Sequence, residues 1–337
     1  MTLDRDITTL ARRIRRESGD VISFHQARLT AAGELGGLPV HTMTPEKRVS
    51  LRVQYTGESK AAARSAISSG TRGLGLDHCS DDQRAFRALL ALALFNSSMY
   101  TGPTARWNYS VVASYDPVMS PRRDHLVIVA ERAPENVATR LLSTAGVDSR
   151  GVPGLRHEVS YTCHGRRSLC LRHLPTGALL TITGDPAGCP RGNRRSLVPQ
   201  RPFLTLDHDL TAHERRALAA VPPISVDATA LLAGLVSRYN LVDRRGHWAT
   251  SLSWDPLERP EVERRKEPEV VHGAEYQLWG AGDSWAFRWT GYPESRDLAL
   301  ALTHREAGVK GASITRHGGT YRVVLGTASL DLCDGKG

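Results

Sequence analysis

Ile7, Leu10, Ala11 and Ile14 recur at the spacing of one helix face, with Asp4 and Asp6 ahead of them and Arg12, Arg13, Arg15 and Arg16 interleaved or behind. This pattern predicts an amphipathic helix stopped at Gly19. A second helical stretch over 24–35 ends at Gly36-Gly37, so a short helical segment is expected over 1–40. Val49, Leu51, Val53 and Tyr55 then alternate with Ser50, Arg52 and Gln54, the period of a half-buried strand, and a short helix is expected around 61–67. Ser80 with Gln83 reads as a capping box ahead of an apolar helix over 81–95. Strands are expected over 109–115 and 125–130, a helix over 135–144, and three strands over 156–163, 168–173 and 178–183. Matching apolar partners around a turn at Gly165 pairs Val159 with Leu171 and Tyr161 with Leu169.

The second half of the chain repeats these signals. Ser114 to Pro121 (Ser-Tyr-Asp-Pro-Val-Met-Ser-Pro) is echoed by Ser253 to Pro260 (Ser-Trp-Asp-Pro-Leu-Glu-Arg-Pro). Each copy is followed by an apolar run, at 125–129 or 285–289, then by Pro-Glu, a helical pattern, a glycine and a glycine-turned hairpin. Self-similarity on this scale points to a duplicated unit whose copies pack together. The expected fold class is therefore α+β: two related modules with mainly antiparallel sheets and packed helices, over 45–184 and 206–331, after the helical N-terminal segment. Four prolines, three glycines and four arginines between 184 and 202 suggest a basic linker over 185–205.

A length of 337 residues accommodates two such modules. The longest uncharged apolar run, at 88–95, is eight residues, far short of the roughly 20 that span a bilayer, so no membrane association is expected. Charge near the N-terminus and five irregularly spaced cysteines fit a cytoplasmic, reducing setting.

The net charge of +9 is unevenly distributed. Residues 150–201 carry nine arginines against Glu158 and Asp185, whereas the chain from Pro202 onward has 16 basic and 18 acidic residues. Such clustering attracts phosphate backbones. Arg166 and Arg167 are placed at a hairpin tip, Arg191, Arg194 and Arg195 on the linker, and Arg12, Arg13 and Arg16 on the first helix. All eight are candidate nucleic-acid contacts.

Other constellations are weaker. Asp116 and Asp255, in the repeated Asp-Pro, would suit a metal-dependent hydrolase if they faced each other between the modules, but Asp-Pro is also ordinary turn chemistry. Cys163, Cys170, His173 and Cys189 are zinc-ligand types at spacings that match no regular zinc pattern. Glu58-Ser59-Lys60 is half of a nuclease motif without the other half. Gly70, Gly73 and Gly75 lack a phosphate-loop ending, and no Gly-x-Ser-x-Gly is present. No metal or cofactor is expected.

Five of the six tryptophans lie between Trp248 and Trp289. The alternation of Trp285, Phe287 and Trp289 favours a core face, and any tryptophan left exposed in this second module would suit a protein partner. The favoured expectation is a non-enzymatic, nucleic-acid-associated accessory or regulatory protein; the alternatives are the paired-aspartate hydrolase and a protein-interaction scaffold.

Overall fold

The computed structural model describes residues 2–17, 27, 44–67, 73–95, 118–131, 134–143, 151–188, 195–197, 202–238, 277–289, 294–317 and 320–334. Among them are eight helices and eleven strands: α1 (Thr2–Glu17), α2 (Pro45–Thr56), α3 (Lys60–Ala66), α4 (Asp81–Leu94), β1 (Val118–Pro121), β2 (His125–Val129), α5 (Pro134–Leu141), β3 (Leu155–Cys163), β4 (Arg166–His173), β5 (Leu179–Thr183), β6 (Arg195–Leu197), α6 (Ala212–Ala219), α7 (Val226–Arg238), β7 (Gln277–Ala281), β8 (Ser284–Arg288), α8 (Ser295–Thr303), β9 (Ser313–His317), β10 (Thr320–Leu325) and β11 (Ala328–Cys333). The class is α+β, with each sheet in its own module.

The two sheets have the same connectivity. The first runs β1-β2-β5-β4-β3-β6 and the second β7-β8-β11-β10-β9. In each, the second and fifth strands of the unit pair parallel and all other neighbours antiparallel. The return from helix to third strand is also built alike. Val152 N–H donates to Leu141 O and Leu155 N–H to Val152 O; Val309 N–H donates to Leu302 O and Ala312 N–H to Val309 O. Each valine follows a glycine, Gly151 or Gly308, whose added Cβ would stand 2.5 Å from backbone atoms.

Each module is two-layered. α4 and α5 cover one face of the first sheet, and α7 and α8 cover one face of the second. α4 packs on α7, and one continuous apolar cluster runs from Leu126, Ile128 and Leu180 through both helices to Trp285, Phe287 and Leu330. The contacts are reciprocal: α4 also touches β7, and α7 touches β1.

Four expectations differ from the structure. Residues 49–55 are helical, because Thr44 accepts from Lys47 N–H as N-cap, Pro45 opens the first turn, and Gly57 closes the helix in the left-handed conformation (φ 70°). Its buried residues Val49, Arg52 and Thr56 fall on one helical face, so the apparent alternation was coincidental. Within the expected linker, β6 pairs antiparallel with β3, and Phe203 packs into the core. The β3–β4 turn is the two residues His164-Gly165, so Cys163 pairs with Arg166, Tyr161 with Ser168 and Val159 with Cys170, one residue from the expected register, and a bulge between His157 and Val159 shifts the pairing again beyond them. The fourth is β1, which forms between the stretches expected as strands over 109–115 and 125–130, where no strand is expected. The stretches expected to be helical over 24–35 and strand over 109–115 lie outside the described residues, apart from Ala27.

The sheets' second faces differ. Across the first sheet, the paired row Ser120, Val127, Thr181, Cys170 and Val159 is buried or half-buried. α2 and α3 pack at its β1 end. The equivalent row of the second sheet is Trp279, Ala286, Asp331, Arg322 and Thr315. Here Trp279 is 47 % exposed, and Arg322 and Asp331 form a partly exposed ion pair at 2.6 Å.

Candidate nucleic-acid interface

α1 carries its charge on the outside. Ala11 is buried and Leu10 and Ile14 half-buried, whereas Arg12, Arg13, Arg15 and Arg16 are all exposed. These four guanidinium groups lie within about one and a half turns of helix, near its C-terminal end where cations are favoured.

The basic stretch is used differently. At the β3–β4 tip, His164 (φ 49°) and Gly165 (φ 73°) make the tight turn, leaving Arg166 exposed, with its Nη1 donating to Glu131 O at 3.3 Å. Arg167, half-buried, is ion-paired with Glu135, and Arg172 with Glu158 at 2.9 Å. Arg156 is fully buried. It donates to both oxygens of Glu214 at 2.7 and 2.8 Å and to the carbonyls of His208 and Asp209. Arg195 lies on β6 opposite Thr162. Arg191 and Arg194 lie outside the described residues. Of the candidate arginines among the described residues, three are on α1, Arg166 stands at a hairpin tip, Arg167 is tied to a carboxylate and Arg195 lies on β6.

A second set of arginines organises the interior. Arg52 makes a bidentate pair with Glu58 (3.0 and 2.7 Å) and also donates to Leu74 O and Pro121 O. Arg87 donates to the carbonyls of Leu76, Arg122 and His125. Arg238 joins the modules, pairing with Asp77 and donating to Ala307 O. These groups were not singled out from sequence, yet a signal existed. Arg87 shares a helical stripe with Leu90, Ala91 and Leu94, and Arg238 with Leu231, Gly234 and Leu235. A charged residue on an apolar stripe requires buried partners.

The remaining candidates do not converge. Asp116 and Asp255 lie outside the described residues; Asp116 stands two positions before β1 and Asp255 twenty-two before β7. Both ring nitrogens of His173 are engaged, by Thr176 and Pro153 O, and burial pushes its pKa down to about 4. Both Glu58 oxygens are held by Arg52. His157 Nε2 lies 2.8 Å from Ser160 Oγ, but both residues are buried, with the imidazole ring beside Phe203. No group of three potential metal ligands gathers among the described residues. Comparison with protein-family models, curated proteins and solved structures finds no match.

Proposed function

We propose that this is a non-enzymatic binding protein, made of two copies of one α+β unit, that associates with nucleic acid in the cytoplasm through phosphate contacts. The observation that supports this reading is the run of four exposed arginines on α1, with Arg166 as a separate minor contact. The test is a salt series of binding to duplex and single-stranded oligonucleotides. Replacing Arg12, Arg13, Arg15 and Arg16 together by glutamine is expected to lower the log–log salt slope by about 3 to 4 on duplex DNA, since each phosphate contact contributes about 0.9. A variant that binds with the parent's affinity and slope sinks the reading. Arg166→Gln is expected to lower the slope by about one at most.

A second reading rests on Trp279, an exposed aromatic on an open sheet face that suits a protein partner. If that partner is a second copy, sedimentation will show concentration-dependent association that Trp279→Ala abolishes. The paired-aspartate hydrolase has no comparable support, because the two aspartates stand at very different distances from the first strands of their modules.

A further inference from the structure

The two sheets agree strand for strand except at one edge. Beyond β3 the first sheet adds β6, antiparallel, with Ser160 opposite Leu197 and Thr162 opposite Arg195. The equivalent strand of the second sheet is β9, and among the described residues it pairs with β10 alone.

The register shows which backbone groups that edge carries. In an antiparallel strand each residue turns its N–H and C=O to one neighbour, alternating sides along the strand, and the pair flanking a two-residue turn is hydrogen-bonded. Leu325 and Ala328 flank such a turn at Gly326-Thr327. Leu325, Val323 and Tyr321 therefore face β11, whereas Val324, Arg322 and Thr320 face β9, opposite Ser313, Thr315 and His317. Ile314 and Arg316 are left turning their N–H and C=O groups away from β10. By the same rule, the Cys163–Arg166 pair around His164-Gly165 turns Ser160 and Thr162 towards β6. Arg316 follows Thr315 as Ser160 follows Val159, so β9 presents the backbone groups that β6 satisfies in the first module.

β9 lacks the usual guards of an edge, which are proline, a bulge or a charge aimed across it. Its sequence, Ser-Ile-Thr-Arg-His, has no proline, and it pairs with β10 without a register shift. Arg316 is drawn back over its own sheet, with its guanidinium above the Tyr321 ring at 6.0 Å from the centroid. The Ile314 side chain is in the core, while Ser313 and Arg316 on either side of it are exposed.

We propose that β9 pairs antiparallel with β9 of a second copy of the chain, about a twofold axis at Thr315. In this register Ile314 of each copy lies opposite Arg316 of the other, so the same outward groups serve both chains and each Ile–Arg pair exchanges two backbone hydrogen bonds. The self-pairing also suits the side chains: no arginine stands opposite an arginine, and the threonine pair at the axis is a favourable cross-strand contact. The two five-stranded sheets then join into one. This surface is separate from α1 and from Trp279, which lies on β7 at the opposite edge of the sheet.

Amide hydrogen exchange at low and high concentration of the full chain, alongside sedimentation velocity, reads the edge directly. In dilute protein the Ile314 and Arg316 amides are expected to exchange fast while that of Thr315 is protected by β10; both should become protected as dimer forms. A native chain that stays monomeric, or amides at 314 and 316 protected equally at every concentration, overturns the proposal. Charge at the axis tests the register. Thr315→Lys and Thr315→Glu each set like charges opposite one another and should weaken association by about fivefold, and their equimolar mixture should restore it. Native-like association of both variants, or a mixture no stronger than its components, overturns the pairing. Should either fail to fold, Arg316→Pro decides: it deletes one outward N–H and leaves the β10 ladder whole, so dimer lost supports the edge and dimer retained overturns it. Association abolished by Trp279→Ala but not by Arg316→Pro would place the contact on β7 and overturn the proposal. Replacing the four α1 arginines is expected to leave dimerisation unchanged, which separates this surface from the nucleic-acid reading.

Discussion

One row of side chains crosses each sheet at the same topological position, and the two rows have opposite chemistry. Ser120, Val127, Thr181, Cys170 and Val159 are small or apolar and largely covered; Trp279, Ala286, Asp331, Arg322 and Thr315 include an ion pair and a half-exposed indole. Identical strand order does not dictate which faces are buried. The difference comes from what lies over the second face. α2 and α3 pack at β1 in the first module, and the row there is built to be enclosed. In the second, the row is built to meet water or a partner, and a sheet with one open face is stable so long as its other face is packed.

The sharpest way to break this comparison is to place a lysine at the equivalent positions 127 and 286. Val127 is fully buried, so Val127→Lys is expected to destabilise by about 4 kcal/mol or more, through an unpaired buried charge. Ala286 is half-buried with Asp331 beside it across the parallel pair, so Ala286→Lys is expected to change stability by about 1 kcal/mol or less. Urea unfolding measures both; equal losses would mean that the two faces are not different environments.

Within the second sheet alone, Trp285→Ala is expected to cost about 3 to 5 kcal/mol and Trp279→Ala about 1 kcal/mol or less, since Trp285 is 2 % exposed. The same unfolding series decides it.

Acid should act mainly on the first module. Burial lowers the pKa of His125, His157 and His173 there, the last to about 4, against His304 in the second. A histidine held neutral by folding binds fewer protons folded than unfolded, so its contribution is present above about pH 6.5 and disappears as the pH falls towards 4. Glu214 continues the trend. Burial raises its pKa, but hydrogen bonds from Arg156 and the Thr211 and Gly154 amides outweigh burial and bring it to about 2, so its contribution is lost as the pH falls from about 4.5 towards 2. The loss from His173 alone is on the order of 3 kcal/mol. Circular dichroism of unfolding against pH should show the upper part of the slope flattened in His173→Gln and the lower part in Glu214→Gln.

The smallest effect sharpens the likeness instead. Gly151→Ala and Gly308→Ala each push a methyl into backbone at the same point of the fold and should cost similar amounts, about 1 to 3 kcal/mol. Markedly unequal losses would mean that the two helix-to-strand returns are only superficially alike.

The elements marked by periodicity and by turn residues were readable from the chain: α1, α4, α5, the strands from β2 to β5, and the second-half pattern containing β8 and α8. What was not readable depended on side chains acting against type. The helix at Pro45–Thr56 hid because Arg52 was counted as a solvent-facing residue of a strand, whereas it is a buried anchor for Glu58 and two carbonyls. β6 hid because three residues paired to an edge carry no period of their own. The candidate interface was partly readable. Local charge count found the arginines of α1, but it also counted Arg156, Arg167 and Arg172, whose carboxylate partners on α6, α5 and β3 are brought near only by folding.

The seam between α4 and α7 has a thermodynamic consequence. Each helix hides the other's apolar side and reaches the first strand of the opposite sheet, while Arg238 ties the end of α7 to Asp77. Melting one module therefore strips cover from the other and strands a buried cation. The chain is expected to have one unfolding free energy rather than two, so heat should release the buried indoles of the second sheet in the same cooperative transition that dissolves the tryptophan-free strands of the first.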